Sequence, residues 1–369
     1  MAKILVFSQD VIGKSMAGPG IRSWEFAGAL SEDHTVTLAA PNLPDVKSDK
    51  FDIVSYQHRR VLELLHGYDI IITQAVSPAI AYMARKYHSK VILDAYDPLL
   101  LETLEVFRRQ PAAYQNHKNQ HYWTEMTLSL QFADAIICAS ERQRDLWIGA
   151  LMALNRIRPS DYAADVTLRS LVDVVPFGLR AEDPQSRPDT GFRRKYGIKA
   201  SDTVLLWAGG IYDWYDPLTL IRAMEIISRQ RSDIKLVFLG LKHPNSGVEE
   251  SQLTGRTKQL SDELGLTDKT IMFNFSWIPY DEWPSYLLET DIGLSSHPDH
   301  LETRFAFRTR VIDSYLWGLR PIITTEGDAM ADLVALKGHS QTGCLPRLAR
   351  QQSAPPRKLR PADCDHERR

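Results

Sequence analysis

The sequence has few cysteines, almost no excess charge and no long apolar run, and each of these shortages argues against a class of protein. Three cysteines, Cys138, Cys344 and Cys364, have no metal-ligand spacing and form no even set, so a reducing cytoplasm is expected rather than a disulfide framework. A formal net charge of -2 predicts no nucleic-acid partner and no global attraction to acidic membranes.

Two further absences concern membranes and secretion. No apolar run approaches the ~20 residues that a membrane-spanning helix needs. The amino terminus enters an apolar strand-like run directly and lacks the apolar region of a signal peptide. A cytoplasmic protein is therefore expected. Peripheral contact with the inner membrane face stays open, because one amphipathic surface could provide it.

What the sequence does contain is a regular alternation of short apolar runs with helical patterns. In the first half the runs are KILVFS, HTVTLAA, YDIIITQ, KVILDAY, ADAIICAS and VDVVPFG, and in the second half TVLLWAGG, IKLVFLG, TIMFNFS, DIGLSS and RPIITTE. Runs that are apolar throughout are typical of parallel strands covered on both faces. The pattern predicts an α/β protein with two doubly wound, Rossmann-like domains.

Changes in composition suggest where these domains begin and end. Residues 1–179 form the first predicted domain, the polar, proline-containing stretch 180–190 is a linker, and residues 191–336 form the second domain. Residues 337–369 contain proline, glutamine and arginine without any periodicity, which predicts an irregular tail. Two such domains place a ligand-binding cleft at their boundary.

Charged residues are densest between His300 and Asp328. This stretch contains five charged residues close together in the sequence: Glu302, Arg304, Arg308, Arg310 and Asp313. Arg308 and Arg310 are two positions apart, so in an extended segment their side chains would lie on the same face. Guanidinium groups bind phosphate well. The alternative for each arginine is a structural ion pair with Glu302 or Asp313.

Glycines near the first strand suggest a second contact with a charged ligand. Gly18 and Gly20 precede a helical pattern, and without a Cβ they allow the backbone to approach a diphosphate closely. An ordinary strand-to-helix turn is the alternative explanation.

In their order along the chain, several of these stretches resemble the retaining, family-four type of GT-B glycosyltransferases. The resemblance covers about residues 1–334, and it rests on GPGIRSWEFA, ICAS, VVPFG, WAGGIYDWYDPLTLIRAM, FLGLKHPN, WIPYDEWPSYLLETDIGLSS and ETRFAFRTRVIDSYLWG…IITTEGD. It implies transfer of a sugar from a nucleotide-sugar to an acceptor hydroxyl with retention of configuration. The leaving phosphate would act as the base, and no metal or cofactor would be needed. The acceptor, whether glycan, lipid or small molecule, is not implied.

The resemblance also implies roles for individual residues. Gly209 and Gly210 would contact the donor, and a tight turn is the alternative for them. Asp313 stands where the family has its second glutamate and would bind the ribose. Phe305 stands where the first glutamate is expected, so Glu302 is the nearest candidate to face the donor sugar.

Three further expectations accompany the resemblance. The family's arginine and lysine are missing from GGIYDWYDP, and the arginines from Arg304 to Arg310 would replace their charge. Asp97, after the run KVILDAY, would orient the acceptor hydroxyl or instead form a turn before Pro98. The tail would replace the strand and helix that close the family's second domain, which would leave the chain truncated.

The rival functions are a nucleotide-sugar epimerase, a phosphorylase and a non-catalytic protein that binds nucleotides or sugars.

Overall fold

Two parallel sheets, one in each half of the chain, form the framework of the protein. In the computed structural model, residues 1–57, 61–180, 182–186, 191–312, 317 and 320–332 are described. The first sheet has the order β3-β2-β1-β4-β5-β6-β7 and the second has the order β10-β9-β8-β11-β12. Every strand pairs with its neighbours in parallel. The prediction of two doubly wound α/β domains is confirmed.

The strands and helices alternate along the chain. The strands are β1 Lys3–Phe7, β2 Thr35–Ala40, β3 Asp52–Ser55, β4 Ile70–Thr73, β5 Lys90–Asp94, β6 Ala135–Cys138, β7 Val172–Val174, β8 Thr203–Ala208, β9 Ile234–Leu239, β10 Ile271–Asn274, β11 Ile292–Ser295 and β12 Ile322–Thr324. The helices are α1 Gly18–Leu30, α2 Val61–Leu64, α3 Pro78–Tyr87, α4 Leu99–Val106, α5 Ala112–Phe132, α6 Glu141–Ala153, α7 Pro159–Ala164, α8 Pro217–Ser228, α9 Gln252–Glu263, α10 Trp283–Leu288 and α11 Leu301–Phe305.

The strands predicted from the apolar runs are all present, and strand β3 and helix α5 are among the elements that were not predicted. Strand β3 is only partly buried, so its short segment lacks the continuous apolar character of the other strands. Helix α5 has 21 residues but buries only Met126, Ser129 and Leu130, so its sequence shows no strong apolar face. In both cases packing against neighbours determines the structure where the local pattern is weak.

The starts of the helices differ in how their backbone N–H groups are satisfied. Ser77, Ser140 and Asp216 cap helices α3, α6 and α8 by accepting hydrogen bonds from backbone N–H groups of the first turn. Helix α1 begins after Ala17, whose side chain makes no such bond, and its first turn contains no acidic residue. The positive end of the α1 dipole is therefore not offset by its own side chains.

The two sheets are separated by the segment in which a linker was predicted. The first sheet ends at Val174 and the second begins at Thr203. Within the predicted linker 180–190, residues 181 and 187–190 lie outside the described residues. The predicted tail 337–369 also lies outside them, as does the hypothesis that it replaces a closing element. In the part of the chain that is described, no helix is long and apolar enough to cross a membrane.

Direct hydrogen bonds join the two domains at several points. Trp277 Nε1 donates to the carbonyl of Met16 at 2.9 Å, and the N–H of Tyr280 donates to the carbonyl of Lys14 at 2.8 Å. Gln143, on α6, donates to the carbonyl of Phe305 at 2.9 Å. These contacts hold the carboxyl ends of the two sheets toward each other, which leaves a cavity between them.

Candidate active site

A cavity of about 330 Å³ lies between the domains, at the carboxyl ends of their strands. Asp97 follows β5, Gly209 follows β8 and Gly240 follows β9, and all three line it. Ligands of open parallel α/β sheets bind in this position, because loops from several strands converge there. The first domain contributes the start of α1 and the segment after β5, and the second domain contributes two arginines.

The start of α1 forms one wall of the cavity. Ala17, Gly18 and Pro19 line it, and Ala17 provides no side-chain cap. Because the first backbone N–H groups of a helix lack intrahelical partners, this end carries a partial positive charge. Such a helix end is suited to an anion such as phosphate.

The structural surroundings of Gly18 and Gly20, the two glycines predicted to contact a diphosphate, are different. A Cβ on Gly20 would lie 2.5 Å from the carbonyl oxygen of Val11, so the close backbone approach there is to the protein itself. Gly18 lines the cavity, and its Cβ would make an ordinary contact with Thr309 at 3.5 Å. Packing against Val11 therefore explains why position 20 is a glycine, and the contact of Gly20 with a diphosphate stays a prediction.

The glycines after β8 line the cavity, and each also has a structural reason to be glycine. Gly209 has a φ of +92°, a conformation that side chains disfavour, and a Cβ on Gly210 would come within 2.9 Å of the Tyr212 ring. A tight turn accounts for Gly209, and the packing of the Tyr212 side chain accounts for Gly210. Contact of either glycine with the donor stays a prediction.

Arg308 forms a buried bidentate ion pair with Glu302. Its Nη1 and Nη2 donate to Oε1 and Oε2 at 2.9 and 2.7 Å, and both residues are almost fully buried. This is the ion pair that the sequence left open as an alternative. Glu302 is therefore held by Arg308, and a direct contact of Glu302 with a donor sugar stays a prediction.

The other side of the Arg308 guanidinium faces a second buried carboxylate. Its Nε lies 3.7 Å from Oδ2 of Asp328 and makes no hydrogen bond to a described residue. The same Asp328 oxygen lies 2.9 Å from Nε2 of His297. The sequence analysis assigned no role to His297, and the signal for it is a histidine two residues after the buried strand β11.

Arg310 is a buried cation with hydrogen-bonding capacity left over. Its Nη2 donates to the carbonyl of Gly210 at 2.7 Å, and its guanidinium lies 4.1 Å from the ring centroid of Tyr215. Its Nη1 has no partner among the described residues, although the residue is only 9% exposed and lines the cavity. A buried donor without a partner is costly, so an anionic ligand would find it already desolvated.

The two arginines reach the cavity in a way that the sequence did not predict. The expected extended segment is absent, because Thr309 and Arg310 already lie in a helical turn. Both guanidinium groups nevertheless lie against the same ring, with Arg308 at 4.9 Å from the Tyr215 centroid. Arg304 is exposed and is not among the residues that line the cavity.

The first domain contributes two carboxyl groups, Asp97 and Glu102, to the lining of the cavity. Burial raises the pKa of Asp97 to about 7, while a hydrogen bond with Tyr96 opposes this rise and the charge of Asp94 adds to it. Burial also raises the pKa of Glu102 well above its ordinary value, and the charges of Asp97 and Glu302 raise it further. Raised carboxyl pKa values at a cleft are typical of functional sites.

Glu102 was not predicted as a site residue. It lies in the first turn of α4, in the otherwise apolar segment LLLETLEV. An acid in the first turn of an apolar helix could have identified it, but the same pattern also fits a charge that favours the helix dipole. Its proximity to Glu302 and Arg308 of the second domain depends on how the two domains pack.

Two remaining predictions concern Asp313 and metals. Asp313, the expected ribose ligand, lies outside the described residues. Among the residues that are described, no cluster of three or more His, Cys, Asp or Glu side chains could hold a metal ion.

Comparison with known proteins identifies the fold. No protein-family model matches the chain. A stretch of 94 residues is 31% identical to a lipopolysaccharide 1,2-N-acetylglucosaminetransferase of Salmonella typhimurium, and it spans 26% of this chain and 25% of that relative. This curated relative is therefore matched over only about a quarter of its length.

Solved structures match over nearly the whole chain. WaaG, a glycosyltransferase involved in lipopolysaccharide biosynthesis, superposes with a TM-score of 0.60 and 14% identity, covering 94% of this chain and 90% of WaaG. An E. coli structure described as trehalose-6-phosphate bound with UDP-2-fluoro glucose superposes with a TM-score of 0.57 and 11% identity, over 95% and 96% of the two chains. The similarity covers both domains, and at these identities it speaks for the fold alone.

Proposed function

We propose that this chain, which has the GT-B fold, is a glycosyltransferase that moves a sugar from a nucleotide-sugar to an acceptor hydroxyl. The observation that carries the proposal is the cavity, where the uncapped start of α1 and the Nη1 of Arg310, which has no partner in the described part of the chain, face one interdomain space. The UDP-sugar in one matching structure and the sugar-transferring relative from Salmonella support the same assignment.

In this proposal the donor diphosphate binds between the start of α1 and Arg310. Negative charge builds on the leaving phosphate as the bond to the sugar breaks. The α1 N–H groups and the Arg310 guanidinium stabilise that charge, and such aimed donors are worth on the order of 3 kcal/mol each. Arg308 adds positive charge, part of which Glu302 offsets.

The acceptor binds at the first-domain wall, where Asp97 and Glu102 line the cavity. An ionised Asp97 accepts a hydrogen bond from the attacking hydroxyl and orients it toward the sugar. Retention of configuration, with the leaving phosphate as the base, is the mechanism proposed here. Positive protein groups would balance the donor charge, so no metal or cofactor is assigned a role, and the reaction would take place in the cytoplasm.

Incubation with a panel of nucleotide-sugars tests this function. The protein should hydrolyse one donor slowly when no acceptor is present, and Arg310→Ala should lose that activity. Arg229→Ala, which removes an exposed arginine in the second domain, should behave as the unaltered protein. Tight binding of a donor without any turnover would favour a non-catalytic binding protein, and an absence of both would refute the proposal.

A further inference from the structure

A second carboxylate lies beside Arg308, at the edge of the guanidinium that Glu302 does not use. Glu302 accepts one hydrogen bond from each Nη group, whereas Oδ2 of Asp328 lies 3.7 Å from Nε. The exposed fractions of Arg308, Glu302 and Asp328 are 4%, 1% and 0%. One buried arginine is therefore flanked by two buried carboxylates, although Glu302 alone pairs with it through both Nη groups.

The two oxygens of Asp328 have different surroundings. Its Oδ1 accepts hydrogen bonds from the N–H groups of Met330 and Ala331, both at 2.7 Å, and so caps the helical turn that follows. Its Oδ2 completes no hydrogen bond with a described residue. A cap does not require such burial, since Asp216 caps α8 at a partly exposed position. Capping therefore does not account for the placement of Oδ2.

His297 lies on the other side of Oδ2. Its Nε2 is 2.9 Å from Oδ2, and its side chain is fully buried. Because an ionised carboxylate only accepts hydrogen bonds, the ring nitrogen that faces Asp328 carries the proton. The backbone of His297 is fixed by Thr325, whose hydroxyl accepts from its N–H at 3.0 Å and donates to its carbonyl at 3.2 Å. Oδ2 is thus enclosed between His297 and Arg308.

The segment that carries Asp328 also contacts the first domain. Arg142 of α6 donates to the carbonyl of Gly327 at 2.8 Å and forms an ion pair with Asp332. These two residues flank Asp328 along the chain. The position of Oδ2 beside Arg308 therefore depends on how the two domains pack.

The placement of Oδ2 leaves the Nη groups of Arg308 available to a ligand. A guanidinium carries five N–H groups in one plane, and Glu302 uses two of them. A diphosphate in the cavity would compete with Glu302 for the Nη groups. A carboxylate at Nε holds the plane in place during that exchange, and a movement of about 0.5–1 Å would bring Nε and Oδ2 into hydrogen-bonding range.

We propose that Asp328, backed by His297, is a positioning residue of the active site, whose Oδ2 orients the Arg308 guanidinium toward the donor diphosphate. Neither Asp328 nor His297 is among the residues that line the cavity, so both act through Arg308. This inference rests on the proposed function, because it requires a nucleoside diphosphate at Arg308.

Replacement of Asp328 by asparagine tests the role of Oδ2. The amide oxygen still accepts the two backbone N–H groups, but the amide nitrogen accepts no hydrogen bond from Arg308 or His297. For the donor that the panel of nucleotide-sugars identifies, kcat of donor hydrolysis should fall about tenfold or more, since small misplacements at a reacting centre are costly. The KM for the donor should change less than about threefold, because Arg308 keeps its charge.

The effect should disappear when Arg308 is absent. In an Arg308→Ala background, Asp328→Asn should lower kcat by less than about twofold, because effects add only when two sites are independent. A residue that merely caps a helix would instead lower kcat by the same factor in both backgrounds.

Two replacements of His297 differ in their ability to donate to Oδ2. Glutamine keeps an N–H donor, so His297→Gln should retain kcat within about threefold of the unaltered protein. Leucine is apolar and has no donor, so His297→Leu should lower kcat to the level of Asp328→Asn. Should Asp328→Asn fail to fold, the same cycle with Arg308→Ala can be made with His297→Leu.

Asp216→Asn is the matched control. Asp216 also caps a helix of the second domain, and it is not among the residues that line the cavity. Asparagine caps a helix about as well as aspartate, so kcat of this variant should stay within about twofold of the unaltered protein. Thermal unfolding of every variant shows whether it is folded at the assay temperature.

The outcomes separate this inference from the proposed function. If the unaltered protein neither binds nor hydrolyses any nucleotide-sugar, both are overturned. If it is active but Asp328→Asn leaves kcat unchanged, or lowers it equally with and without Arg308, only the positioning role is overturned. An equal loss of kcat in His297→Gln and His297→Leu would remove His297 from the proposal.

Discussion

Two buried arginine–carboxylate pairs, one in each domain, differ in what surrounds them. Arg22 of α1 pairs with Asp94 at the end of β5 through Nε and Nη2, at 2.7 and 2.8 Å. Its Nη2 also donates to the carbonyl of Val175 at 2.9 Å, and the rings of Phe26 and Phe177 lie 4.5 and 4.6 Å away. Arg22 is enclosed by its own domain and does not line the cavity.

The pair in the second domain has the same bidentate geometry but a different role. Arg308 lines the cavity, and its Nε makes no hydrogen bond to a described residue. The comparison teaches that burial and pairing alone do not identify a functional arginine. What separates the two is the hydrogen-bonding capacity that the fold leaves unused beside a space large enough for a ligand.

The largest effect is expected from breaking the pair in the first domain. Replacement of Arg22 by leucine leaves the Asp94 carboxylate buried without a partner, which should lower the free energy of unfolding by about 3–5 kcal/mol. Urea denaturation measures this change. The double variant Arg22→Leu with Asp94→Leu should recover much of the loss, because it removes the unpaired charge. A single variant as stable as the unaltered protein would mean that the pair contributes little.

The next effect concerns the second domain and binding of the donor. Arg310→Ala should lower the affinity for the matching nucleoside diphosphate by about 1.5–3 kcal/mol, the range for charge-assisted hydrogen bonds. Arg308→Ala should lower affinity and also stability, since it leaves Glu302 unpaired. Calorimetry with UDP, GDP and dTDP measures both variants, with Arg229→Ala as the control. Unchanged affinity for all three nucleotides in both variants would exclude a phosphate role.

A smaller effect should follow from the raised pKa of Asp97. The folded protein holds a proton on Asp97 up to about pH 7, whereas the unfolded chain releases it near the ordinary pKa of 3.8. Stability should therefore fall as pH rises through this window, by less than about 1.4 kcal/mol per pH unit for one proton. Thermal unfolding of Asp97→Asn should show a flatter pH dependence, while Asp49→Asn, at an exposed loop position, should not.

The same titration gives a prediction for activity. If the ionised Asp97 orients the acceptor, kcat/KM should rise with pH through about 7 and then level off. Asp97→Asn should remove that limb of the profile. A pH profile of the same shape in the variant would assign the limb to another group.

The smallest effect is expected at the contacts that hold the domains together beside the cavity. Trp277→Phe removes the hydrogen bond to Met16, and Asn245→Ala removes one from Asn245 Nδ2 to Asp10 Oδ1 at 3.0 Å. Each bond contributes about 1 kcal/mol, so the radius of gyration without ligand should increase slightly. It should decrease when donor binds, because both domains contact the ligand. X-ray scattering measures this, with the exposed Trp123→Phe as the control.

The comparison of the two pairs also shows how far the sequence predicts the site. The apolar runs predicted the strands and the two-domain fold, because continuous burial in a parallel sheet imposes an apolar residue at almost every position. The charged segment after β11 was recognised from its arginines alone, and the choice between an ion pair and a phosphate contact for Arg308 stayed open. Only the structure shows Glu302 within hydrogen-bonding distance.

Residues that depend on distant neighbours were missed for a physical reason. Arg22 and Asp94 are 72 positions apart, and nothing in either local pattern indicates the other. Burial raises the pKa of Glu102 most, the charges of Asp97 and Glu302 raise it further, and Glu302 belongs to the other domain. Desolvation and the distance between charges are properties of packed surfaces, so they cannot be read from spacing along a chain.

By itself, the sequence determined the alternation of strands and helices, because a few consecutive residues set the burial pattern of each element. It also indicated the turns at which glycine is needed, including Gly209 with its positive φ. The tertiary structure decided which buried arginine is satisfied by its own domain and which retains donors beside a cavity. That decision depends on carboxylates and carbonyls contributed by other segments, and only the packed chain brings them within hydrogen-bonding distance.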